Sequence, residues 1–189
     1  MNHSQRTAVQ ANGLRGAAIL ALLCLGLTMS LPAPAACRPD LYQTAAPERF
    51  ETLDDDIIVD NVTGLMWQRC LLGLSGQDCA TGQAEFLSWP DALQAATDDR
   101  TGGYSDWRLP NIKELASLVE YACTGPAMDE DQFPNTGIQR SDGDDISFIV
   151  WSATPYYDSA LIRYLDFSNA ADNALARDSE QLVRLVRDL

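Results

Sequence analysis

At 189 residues, with 27 acidic against 13 basic side chains and a formal charge of −14, the chain is too acidic to use DNA, RNA or anionic lipid as an electrostatic partner. Its one histidine is His3 and its one lysine is Lys113, which excludes Ser-His-Asp and Cys-His mechanisms from the body of the chain. All 27 acidic residues but only 11 of the basic ones lie beyond residue 36, a formal −16 for that part, whose roughly 150 residues are the usual size of one domain.

The first 36 residues read as an export signal. Arg6 and Arg15 form a positive start, Ala17 to Leu27 is apolar, Pro32 ends the run, and Ala33-Pro34-Ala35 supplies an A-x-A cleavage site. The mature chain is expected to begin at Ala36 or Cys37, with residues 37–189 as one domain. The apolar run is shorter than the ~20 residues that cross a bilayer. Lipid anchoring through Cys37 is the competing reading, although Pro34 stands where bacterial lipoprotein signals usually carry Leu. Periplasmic and cell-surface locations both fit.

Beyond the signal remain Cys37, Cys70, Cys79 and Cys123. Four cysteines in an exported chain suggest two disulfides with three possible connectivities. Cys70 and Cys79 flank a short polar loop and are expected to pair locally, which leaves Cys37 for Cys123. Zinc is the rival, but the spacing lacks C-x-x-C pairs and the mature part lacks histidine.

In chain order, an edge strand is expected around Arg49 to Thr52. Ile57 to Asp60 and Leu65 to Gln68 follow, joined by Asn61-Val62-Thr63-Gly64 as a hairpin. Ser88 and Asp91 form a capping pair before a helix with Trp89, Ala92, Leu93 and Ala96 on its apolar stripe. Gly102 and Gly103 then turn the chain, and Pro110 keeps the residue before it out of helical geometry. Asn111 and Glu114 make a capping box for a second helix, whose apolar face is Ile112, Leu115, Leu118, Val119 and Ala122. Thr124 to Asp145 is a long acidic loop region, of a length that is more often functional than accidental. Within it Asp142, Asp144 and Asp145 around Gly143 could supply oxygen ligands to calcium, with solvated turn acids as the plainer reading. Ile146 to Ser152, Leu161 to Phe167, Asn173 to Arg177 and Gln181 to Val186 then read as strands. The pattern predicts an α+β domain with an antiparallel sheet, two helices and a long loop region.

Five segments carry a family resemblance: Asp60 to Trp67, Gly103 to Asn111, Phe133 to Thr136, Trp151-Ser152 and Arg184 to Arg187. Together they are similar to the Lcl C-terminal domain family of exported bacterial proteins, named for a domain of a collagen-like adhesin. That family looks related to the C-type-lectin-like fold. The resemblance implies that the hairpin near Trp67 lies beside the Arg184 strand, and that the Thr124 to Tyr157 region is the ligand loop. Formylglycine-generating enzymes share a similar Arg-Leu-Pro helix start, but they need late cysteines, and this chain has none after Cys123.

The expected role is therefore non-catalytic binding of carbohydrate or of an envelope or surface protein. Trp151, Tyr156 and Tyr157 are the candidate ligand-binding aromatics, while Trp67, Trp89 and Trp107 read as core. A structural part in an envelope assembly is the first alternative. A carboxylate-dependent glycoside hydrolase is the second.

Overall fold

The computed structural model describes residues 36–141, 143, 145–157 and 160–189. The expected export signal, apart from Ala36, lies outside the described residues. Strand β1 (Ala36–Cys37) opens the fold, followed by β2 (Phe50–Asp54), β3 (Ile57–Asp60) and β4 (Leu65–Gln68). Two short strands, β5 (Leu74–Ser75) and β6 (Thr81–Gly82), precede helices α1 (Trp89–Asp98) and α2 (Ile112–Ala116). The remainder holds β7 (Cys123–Thr124), β8 (Ile138–Gln139), β9 (Ile146–Ser147), β10 (Ile149–Pro155), β11 (Leu161–Asp166), β12 (Ala171–Ala176) and β13 (Val186–Asp188).

The pairings between named strands are antiparallel, while the bridge between Val150 and Leu182 is parallel. The larger sheet runs β13-β4-β3-β2 and the second runs β10-β11-β12. The hairpin of β3 and β4 forms as the turn residues predict, with Ile58 opposite Trp67, and β2 lies on the sheet edge. Both β3 and β4 are buried on both faces, which is why their sequence is a continuous apolar run rather than an alternation.

The two faces define two core clusters. Ile58, Trp67, Leu115 and Phe133 belong to one; Ile57, Val59, Ala92, Trp107 and Trp151 belong to the other. Helix α2 therefore packs on one side of the larger sheet and α1 on the other. Between the two sheets runs the segment 181–186. Leu182 exchanges backbone bonds with Ile149 and Trp151 of the second sheet, while the carbonyls of Val183 and Leu185 accept from Leu72 and Gln68 beside the first. Its side chains alternate: Leu182 and Val186 enter one cluster, Val183 and Leu185 the other.

Both helix starts match their sequence signals. Asn111 Oδ1 accepts from the backbone N–H of Lys113 and Glu114, and Glu114 returns a carboxylate to Asn111 N at 2.7 Å. Ser88 caps α1 by accepting from Asp91 N. The length of α2 departs from expectation, since its apolar spacing reaches Ala122 but the helix stops at Ala116. Leu118 and Val119 already bond three residues back rather than four. Beyond them the lead-in segment takes over the backbone: Thr44 Oγ1 donates to Val119 O and accepts from Tyr121 N, and the Glu120 carboxylate accepts from Ala45 N and Ala122 N. Leu118, Val119 and Ala122 stay buried without being helical.

Both disulfides form as expected, Cys37 with Cys123 and Cys70 with Cys79. Gly102 has φ 63°, and a Cβ there would run into the side chain of Ile57. Gly102→Ala should therefore lower stability by roughly 1–3 kcal/mol, from left-handed backbone strain plus the clash. A urea midpoint equal to that of the wild type would contradict this.

Candidate functional site

The acidic region after α2 is mostly a packed segment. Ala127, Met128, Phe133 and Thr136 are buried. Arg69 donates to the carbonyls of Asp131 and Gln132, and Asn135 Nδ2 donates to those of Asp78 and Cys79. Burial raises the carboxyl of Asp129, helped by the neighbouring charges of Asp131 and Glu120 and opposed by backbone N–H bonds. The β8–β9 hairpin is the part of the region that lines a cleft.

That cleft, of about 440 Å³, lies between the hairpin and the turn at 179–181. Arg140, Asp145, Ser147, Ser179, Glu180 and Gln181 supply its polar groups, and Ile146 and Ile149 its apolar lining. A smaller hollow, about 210 Å³, adjoins it and shares Arg140 and Glu180, with Phe86 and Ser141 completing its wall. Arg140 is held across the gap: its Nη1 donates to Glu180 O at 3.2 Å and its guanidinium lies 4.5 Å from the Phe86 ring centre. The far wall is fixed by reciprocal backbone bonds between Leu87 and Gln181, both 3.0 Å. Cationic, anionic and neutral polar groups thus share one opening, a combination suited to hydroxyl-rich or amide-bearing ligands.

The three candidate aromatics separate. Trp151 was expected at a ligand surface but is fully buried, its indole N–H donating to Leu87 O at 2.9 Å. Its bulk faces the core because β10 is covered by the 181–186 segment. It supports the cleft wall from behind and offers no face to a ligand. Tyr156 is half-buried and Tyr157 is 91% exposed, with ring centres 4.4 Å apart. They follow the end of β10 opposite to Ile149, roughly 20 Å from the cleft at ~3.3 Å per strand residue.

Trp67 and Trp107 are buried as expected. Trp89 is half-buried, donates to Ser152 O and carries Arg177 over its ring at 4.7 Å. Asp142 and Asp144 of the calcium reading lie outside the described residues, while Asp145 is exposed at the cleft. Among the described residues no group of three or more metal-ligating side chains assembles.

The sequence reading missed Arg140, Ser179, Glu180 and Gln181. One signal was available: Arg140 is the lone basic residue between Thr124 and Asp145. Nothing local marks Glu180, which reaches the cleft through tertiary pairing.

The family model described as the Lcl C-terminal domain matches residues 56–187. No curated protein matches the chain.

Proposed function

The chain belongs to the Lcl C-terminal domain family, and on that premise we propose that it is a non-catalytic recognition domain whose cleft beside the β8–β9 hairpin binds carbohydrate. The observation that carries the reading is the cleft itself, where Arg140, Asp145, Glu180 and Gln181 surround an apolar floor in a volume of small-ligand size. Tyr156 and Tyr157 form a second contact, suited to anchoring a surface-protein partner. Export through the leader belongs to the same proposal. The two disulfides support it, because such bridges persist in oxidising compartments. Among the described residues no helix is long and apolar enough to cross a membrane. A C-type-lectin-like kinship is also part of the reading and rests on the sequence resemblance.

The experiment is a glycan array followed by calorimetry on the mature domain, with and without calcium. Glu180 is exposed, so Glu180→Ala should leave stability within about 0.5 kcal/mol of wild type while weakening glycan binding about tenfold or more. Unchanged affinity in that variant would move the site elsewhere. Asp145 and Glu180 facing one cleft favour a second reading, glycoside hydrolysis by paired carboxylates. Release of a reducing sugar by the wild type, abolished by Glu180→Ala, would replace binding with that activity.

A further inference from the structure

The core contains a cation that no described carboxylate answers. Alternation along 181–186 points Arg184 the same way as Leu182 and Val186, into the cluster of Trp67, Leu115 and Phe133. Its side chain is 0% exposed, and its guanidinium lies 5.0 Å from the centre of the Phe133 ring. Nη1 donates to the carbonyl oxygens of Gln68, at 3.0 Å, and Arg69. The Nε–H and both Nη2 hydrogens find no acceptor among the described residues. On β4, the buried indole N–H of Trp67 also lacks one.

Arg69, whose carbonyl Arg184 grips, is a second buried guanidinium. Each of its three nitrogens donates to a carbonyl: Nε to Gln132, Nη1 to Gln77 and Nη2 to Asp131. Neither arginine pairs with a carboxylate among the described residues, whereas Arg49, Arg108, Arg163 and Arg187 all do. Burial, and then the Arg69 charge, pull the Arg184 pKa down to about 9, still above neutrality, so it carries its proton there.

Every unsatisfied group here is a donor. A water molecule accepts at most two such bonds and introduces two O–H groups needing acceptors of their own. A small anion accepts from each donor and offsets two like charges held in a low-dielectric interior. From this geometry we infer that Arg184, backed by Arg69, forms an interior site for a halide-sized monovalent anion such as chloride. Its bound anion would act as a structural counter-ion, separate from the cleft and independent of what the cleft binds.

Two measurements on the wild type test this. Crystals grown with sodium bromide in place of chloride should show an anomalous peak within hydrogen-bonding distance of Arg184 Nε or Nη2. The thermal midpoint should rise saturably with chloride when sodium gluconate holds the ionic strength constant. A water in place of the peak, bromide at surface positions only, or equal midpoints in the two salts would overturn the inference. Arg184→Met should remove the chloride dependence; if that variant does not fold, the wild-type measurements decide alone.

Discussion

Replacing Cys37 and Cys123 together by serine is expected to lower the unfolding free energy by about 4–5 kcal/mol, against about 2–3 for the Cys70 and Cys79 pair. The difference follows from loop size, because the first bridge joins residues 86 apart in sequence and the second residues 9 apart. In the chain-entropy account, a longer closed loop removes more freedom from the unfolded chain. The long bridge also fixes a local frame. It joins β1 to β7, whose Cys37 stands opposite Cys123, next to the contacts by which Thr44 and Glu120 terminate α2. Guanidinium midpoints of the two double-serine variants, purified from an oxidising compartment, check the order. A larger loss from the short bridge would show that local geometry, rather than chain entropy, dominates.

The second large effect belongs to Asp60. Its side chain is fully buried and pairs with Arg49 through both oxygens, the bond to Nε being 2.9 Å. Val62 N, Thr63 N and Thr63 Oγ1 donate to it as well. Asp60→Ala should therefore cost about 3–5 kcal/mol, because it leaves the largely covered Arg49 guanidinium without its carboxylate partner.

The pH dependence follows from the same contacts. Burial alone would raise the Asp60 carboxyl, but the bonds from Arg49 and Thr63, the Arg49 charge and the Val62 N–H together hold it below its usual value of 3.8. A carboxyl depressed in the folded state stabilises fully above its unfolded pKa, and that contribution disappears as pH falls through the folded value. The wild type should thus lose stability on acidification below about pH 4. Asp60→Asn, which cannot ionise, should show a shallower loss in urea titrations between pH 7 and pH 3. Parallel slopes for the two proteins would assign acid sensitivity to other carboxylates.

Local chemistry was legible where it is decided locally. The Asn111–Glu114 capping box, the Ser88 cap and the β3–β4 hairpin all appear where their residues place them. The end of α2 was not legible. Leu118, Val119 and Ala122 keep helical spacing, yet Thr44 and Ala45, more than seventy residues earlier, bind that stretch and end the helix. Trp151 shows a similar limit. Its neighbours Tyr156 and Tyr157 suggested a surface cluster, but the 181–186 segment covers β10 and seals the indole inside. For the cleft, Arg140 and Glu180 stand forty residues apart and meet only in the folded chain. The carboxylates of the acidic region and its single arginine were visible as composition, but the meeting of that arginine with Glu180 across an opening was not.

The position of residues 182–186 sets a clock on maturation. They lie between the two sheets and feed both hydrophobic clusters, and β13, which begins at Val186, pairs with a strand more than a hundred residues earlier. As the ribosome emits the chain, neither cluster is complete until this late segment arrives. Until then each cluster lacks the residues that bridge it to the opposite sheet.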